Sequence, residues 1–171
     1  MLSVVIPAFN EEQNIGKGIL TDVYGYLIKQ KYNFEIIIVN DGSTDQTEKL
    51  IQKFSKTHSG LKVITIAHGG KLAAIRQGVN LAKGEIILFT DFDQSTPIAE
   101  VEKVFEKFSQ GADIVIANRW KNFHDWSFFH ILRSRSFNFF TQLVILPNIS
   151  DTQCGFKAFK NNIARKLFST L

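Results

Sequence analysis

A single cysteine, three prolines and no hydrophobic run of membrane-spanning length set the first limits on this chain of 171 residues. With Cys154 alone no internal disulfide can close, so a reducing compartment is the simpler expectation. His58, His68, His124 and His130 show no metal-ligand spacing and there is no second cysteine, which argues against a zinc site. No stretch approaches the roughly 18 apolar residues that cross a bilayer. Residues 2–6 read as a strand rather than as a charged leader, and the chain is expected to be soluble or to lie on a membrane surface. Several catalytic signatures are missing too. There is no G-x-S-x-G elbow, and Cys154 reads as a packed thiol. Thr65 and Leu72 break the pattern of an NTPase phosphate loop around Lys71. Pro7-Ala8-Phe9 stands where a dinucleotide fingerprint would need glycines. No basic stripe carries a nucleic-acid motif, so nucleic acid is not an expected partner.

What is present describes a globular α/β domain. Hydrophobic residues make up 44% and charged residues 21%, ordinary proportions for a chain able to bury a core. The net charge of +4 permits contact with phosphates or anionic lipid without choosing between them. Apolar strand-like runs recur at 3–6, 35–39, 61–66, 85–89 and 113–117. Helical periodicity separates them at 11–31, 45–56 and 71–82, and Pro97 is placed to open a fourth helix at its first position. Asn10 with Gln13, and Ser43 with Gln46, read as reciprocal helix caps. This alternation predicts a mostly parallel sheet with helices on both faces. Beyond Asn118 it stops: residues 119–146 hold six of the 16 Phe, both Trp, four Lys or Arg and one acid. That segment is either a core helix across the sheet or an amphipathic element in a membrane interface. A helix begun near Asn161 still runs at Leu171, so one domain over 1–171, short at its C-terminus, is expected.

The chemistry concentrates where strands end. Asp91-Phe92-Asp93-Gln94-Ser95 follows the apolar run 86–90, placing two carboxylates one residue apart at a carboxyl edge. They form either a turn or, with Mg²⁺ or Mn²⁺, a hard-oxygen metal site bridging to substrate phosphates. Pro7 to Glu12 reads as a helix cap or as one wall of a nucleoside pocket. In Asn40-Asp41-Gly42-Ser43-Thr44-Asp45, Asp41 is placed to accept hydrogen bonds from a base or ribose, or the stretch is a cap. In His68-Gly69-Gly70-Lys71 the lysine has a phosphate or a carboxylate such as Asp41 as its partner, or else water. Asp151-Thr152-Gln153-Cys154-Gly155-Phe156-Lys157-Ala158-Phe159 reads as a turn into a short strand with Phe156 and Lys157 on opposite faces.

In this order the segments resemble family 2 glycosyltransferases of the GT-A fold, with Rossmann-like layering. The 151–159 segment is similar to the signature of polyprenyl- and dolichyl-phosphate sugar transferases, nearest the dolichyl-phosphate β-glucosyltransferase branch. The resemblance implies a nucleotide-sugar donor held by Pro7, Phe9, Glu11, Asp41, Lys71 and Phe92. It implies Asp91 and Asp93 as diphosphate and metal residues, and Arg119 and Lys157 facing the donor diphosphate or an acceptor phosphate. It further implies Mg²⁺ or Mn²⁺ as cofactor, inversion to a β-linked product, and a polyprenyl-phosphate acceptor reached at the cytoplasmic membrane face. Asn40, Leu72 and Ser95 depart from the family pattern, and Ser95 weakens a mannose assignment. Two rival expectations stand beside this one: a hydroxyl acceptor with Asp151 as base, and a non-catalytic sugar-nucleotide or membrane-binding module.

Overall fold

The computed structural model describes residues 1–118 and 154–170. Its frame follows from where Val and Ile are concentrated. β1 (Leu2–Ala8) and β2 (Phe34–Asn40) are buried along almost their whole length. Such runs suit only interior strands covered on both faces. β1 pairs in parallel with β2 on one side and with β4 (Ile86–Phe89) on the other, and β3 (Leu61–Thr65) pairs in parallel with β2. Among the described residues the sheet has six strands in the order β3-β2-β1-β4-β6-β5, with β5 at Ile114–Ile116 and β6 at Lys157–Lys160.

Alternation along the strands sends side chains into two separate cores. Leu2, Val4, Ile6, Ile36, Ile38 and Leu88 face α2 (Ile19–Leu27), α3 (Thr47–Ser55) and α5 (Val101–Ser109) through Leu20, Val23, Ile51, Val101 and Val104. Val5, Ile37, Val39, Ile87 and Phe89 face α4 (Lys71–Leu81) and α6 (Asn161–Phe168) through Ala74, Val79 and Ala164. The expected mostly parallel sheet with helices on both faces is what forms. α4 lies close on β1 because position 78 is glycine, where a Cβ would drive into the Val5 side chain.

Several local expectations are corrected. The single helix expected over 11–31 is two: α1 (Glu12–Gly16) and α2, separated at Gly18, whose φ of 86° is left-handed. Asn10 and Ser43 do not cap their own helices. Asn10 Oδ1 accepts from Thr44 N at 2.9 Å and Ser43 Oγ accepts from Asn10 N at 3.0 Å, so the β1–α1 and β2–α3 loops clasp each other. Glu12 and Asp45 extend the exchange, each accepting a backbone N–H from the opposite loop. Pro97 precedes a 3₁₀ turn (Ile98–Glu100) that leads into α5 rather than opening the helix itself. β6 inserts between β4 and β5 and runs antiparallel to both. Phe156 and Ala158 join one core and Phe159 the other, so Phe156 and Lys157 do lie toward opposite faces. Segment 119–146 lies outside the described residues. Among the described residues no helix is long and apolar enough to cross a membrane.

At the amino-terminal edge of the sheet a buried carboxylate ties three segments together. Glu35 Oε1 accepts from Ser3 Oγ at 2.7 Å and Lys83 N at 2.6 Å, and Oε2 accepts from Lys62 Nζ at 2.6 Å. Burial alone would raise its pKa; the hydrogen bonds from Lys62, Ser3 and the Lys83 amide outweigh it and hold the carboxyl below its ordinary 4.5. A depressed acid stabilises the fold above its unfolded pKa, and that stability is lost as pH falls through the folded value. Glu35→Ala should therefore reduce stability by about 1–3 kcal/mol at pH 7, leaving Ser3 and the Lys83 amide without an acceptor. In denaturant melts the difference from the parent chain should shrink as pH drops below 4.5.

The chain runs outward from β1 to β2 to β3, then returns through α4 to place β4 on the other side of β1. This reversal opens a crevice between the carboxyl ends of β1 and β4, the position where open α/β sheets bind ligands.

Candidate functional site

The crevice is a cleft of about 410 Å³ bordered by the ends of β1, β2 and β4 and the start of α4. Pro7, Phe9, Glu11, Asp41, Lys71, Asp91, Phe92 and Asp93 all border it. Phe92 does so with a side chain only 3% exposed, packed in the α2–α5 core, so its ring serves the fold beneath the cleft. Lys157 comes to the same edge by topology: β6 runs antiparallel to β4 and pairs Lys157 with Phe89, two residues before Asp91. Arg119 and Asp151 lie outside the described residues.

Asp41 is almost fully buried, and its carboxylate is already engaged. It accepts from Gly69 N at 2.8 Å and Gly70 N at 2.9 Å, and His68 Nδ1 lies 2.9 Å from Oδ2. The same Nδ1 lies 3.1 Å from the Asp41 carbonyl; facing two acceptors, it is the nitrogen that carries the proton. This grip sets the turn from which α4 starts, and it points Lys71 at the end of β4. The Lys71 ammonium pairs with Asp91 Oδ1, not with Asp41, the carboxylate named as its possible partner from sequence. His68 also stacks on Phe9, with ring centroids 4.4 Å apart and planes at 26°. The two half-exposed rings make an aromatic wall at the mouth of the cleft. Sequence reasoning weighed His68 only as a zinc ligand; its place beside a Gly-Gly turn was the available signal.

Asp93 is exposed and aimed by a tight turn in which Oδ1 accepts from Ser95 N at 3.0 Å and Oδ2 from Ser95 Oγ at 2.7 Å. Gln94 makes that turn in a left-handed conformation, φ 52°, and anchors it through Nε2 to Thr90 Oγ1 and the Asp91 carbonyl. A non-glycine residue there is an uncommon conformation of the kind found at functional sites. Gln94 carried no role in the sequence reading, because a left-handed φ is invisible in a residue name.

Glu11 completes the acidic side of the cleft. Burial raises its pKa, a 2.6 Å hydrogen bond from Asn14 lowers it in part, and the charges of Asp93, Asp45 and Asp91 raise it again. A raised acid contributes stability fully present below its unfolded value, near 4.5, and lost as pH rises through the folded one. Glu11→Gln should therefore raise the Tm at pH 7, with the gain disappearing in melts run below pH 4.5. Negative charge that repels itself in this way is relieved by a cation, so the carboxylates fit Mg²⁺ or Mn²⁺. Among the described residues no cage of three or more His, Cys, Asp or Glu surrounds a single point. Two carboxylates sharing an ion with waters and substrate phosphates are the usual arrangement for Mg²⁺.

The profile described as Glycosyl transferase family 2 matches residues 3–168. A dolichyl-phosphate beta-glucosyltransferase of Drosophila melanogaster is 35% identical over 99% of this chain and 57% of its own length. The chain thus spans little more than half the length of that curated relative. Glucosyl-3-phosphoglycerate synthase from Mycobacterium tuberculosis, solved with UDP, superposes with a TM-score of 0.67 at 21% identity, over 95% of this chain and 57% of that one. Mannosyltransferase PcManGT from Pyrobaculum calidifontis, solved with GDP-Man and Mn²⁺, gives 0.64 at 21% identity, over 97% and 46%. These two likenesses bear on the fold.

Proposed function

The chain belongs to glycosyl transferase family 2, and on that premise we propose that it transfers glucose from UDP-glucose to a polyprenyl or dolichyl phosphate with inversion. The observation that carries the proposal is the placement of Asp91, Asp93 and Lys71 together on one cleft at the carboxyl edge. The activity of the Drosophila relative supports glucose as the sugar and a lipid phosphate as acceptor.

In this reading Phe9 and His68 offer a ring face to the nucleoside base, and Glu11 with Asn14 offers polar atoms to the ribose. Asp91 and Asp93 would hold a Mg²⁺ or Mn²⁺ ion, which would screen the charge of the departing diphosphate. Lys71 supplies a second positive charge to the same phosphates from the start of α4. The acceptor phosphate oxygen attacks the anomeric carbon as the bond to the diphosphate breaks, inverting that centre. A lipid monophosphate is already anionic at neutral pH, so no general base is required and positioning carries the step. Lys157, at the edge beside β4, and Arg119 would face the donor diphosphate or the acceptor phosphate. The aromatic and basic segment 119–146 is assigned to the membrane interface, on the cytoplasmic face.

The test is transfer of radiolabelled glucose from UDP-glucose to dolichyl phosphate with and without a divalent cation. Organic-soluble label that requires both lipid phosphate and cation is expected. Label found only on a hydroxyl acceptor, or UDP binding with no turnover on any acceptor, overturns the proposal.

A further inference from the structure

Gly155 has no conformational reason to be glycine, since its φ lies outside the left-handed region. Its reason is space. A Cβ built on this residue would collide with Cγ and both carboxylate oxygens of Asp91. The neighbours leave the backbone little freedom to retreat. Cys154 and Phe156 are each 1% exposed, and the Phe156 carbonyl accepts a 3.0 Å hydrogen bond from Ala117 N. Asp91 thus has the Lys71 ammonium on Oδ1 and the Gly155 backbone against its carboxylate, and since that side chain is 32% exposed, it is the carboxylate that a Cβ at 155 would turn aside.

We propose that Gly155 is a positioning residue: its bare backbone, packed against Asp91, sets the orientation in which that carboxylate meets the donor diphosphate and its metal. The segment that returns to the sheet as β6 thus completes the donor site from behind. The role assigned to Asp91 rests on the function proposed above, whereas the steric contact does not.

Gly155→Ala is compared in the parent chain and in an Asp91→Ala background, where the colliding atoms are gone. In the parent it should lower the Tm by about 4 °C or more, and in Asp91→Ala by far less, the non-additivity expected of residues in contact. Should Gly155→Ala alone fail to fold, recovery of folding in the double variant makes the same point. Gly155→Ala should also weaken Mn²⁺–UDP binding by about 10-fold or more in calorimetry, with the far-ultraviolet spectrum retained. Equal losses of Tm in both backgrounds, failure of the double variant to fold, or undiminished Mn²⁺–UDP affinity in Gly155→Ala would each overturn the proposal. Should Asp91→Ala itself leave Mn²⁺–UDP affinity intact, the role of Asp91 fails, and with it the positioning of that role by Gly155; Tm coupling would then uphold the steric contact alone.

Discussion

Asp93→Ala is expected to reduce glucose transfer by about 10³-fold while leaving the thermal midpoint nearly unchanged, since removal of one group that stabilises transition-state charge has effects of this order. The two halves of that expectation come from the same geometry. Asp93 is exposed, and among the described residues its carboxylate is gripped only within its own turn, by the amide and hydroxyl of Ser95. Its removal opens no cavity, and surface changes away from buried features usually shift stability by less than about 0.5 kcal/mol. The functional loss follows if the carboxylate holds the cation that screens the leaving diphosphate. Rates at saturating donor and dolichyl phosphate, set beside melts of the same preparation, test both halves together.

Lys71→Ala should produce two effects of opposite sign. Transfer should fall by about 10²-fold, because the cation proposed to face the leaving diphosphate is lost. Binding of Mn²⁺ in the absence of nucleotide should tighten by about 2- to 5-fold, because the ammonium no longer competes for Asp91 and a partly exposed ion pair is worth up to about 1 kcal/mol. The pair is partly open to solvent on both sides, with side-chain exposures of 55% and 32%, which keeps the second effect small. Titration of Mn²⁺ alone, followed by electron paramagnetic resonance, reads the gain; the transfer assay reads the loss. Weaker binding of metal alone would mean that Lys71 supports the cation site rather than contesting it.

Much of the frame was legible because the interior strands are short, apolar and bounded by turn residues. The runs at 35–39 and 85–89 fall within a residue of β2 and β4, and the Asp91–Asp93 pair stood out because it follows such a run. What escaped notice depends on long-range geometry. Lys71 and Asp91 meet because α4 crosses back over β2 and β1, with Gly78 letting the helix settle on Val5; a separation of 20 residues says nothing of that. The insertion of β6 between β4 and β5 pairs Phe89 with Lys157, and no local pattern announces an antiparallel strand arriving from so far along the chain. The caps failed for a related reason: Asn10 and Ser43 have the right chemistry, but each found its partner in the neighbouring loop. Gly155 reads as an ordinary glycine until Asp91 is seen beside it.

On the proposed function, the cleft between β1 and β4 binds a nucleoside-diphosphate sugar through Asp91, Asp93 and a divalent cation. Calorimetric titration of UDP-glucose into the chain, with Mn²⁺ and then with excess chelator, tests it most directly when repeated on Asp93→Ala. Saturable one-site binding with Mn²⁺ that is lost on chelation and lost in the variant is expected. Binding of equal strength under chelation, or in Asp93→Ala, would contradict it.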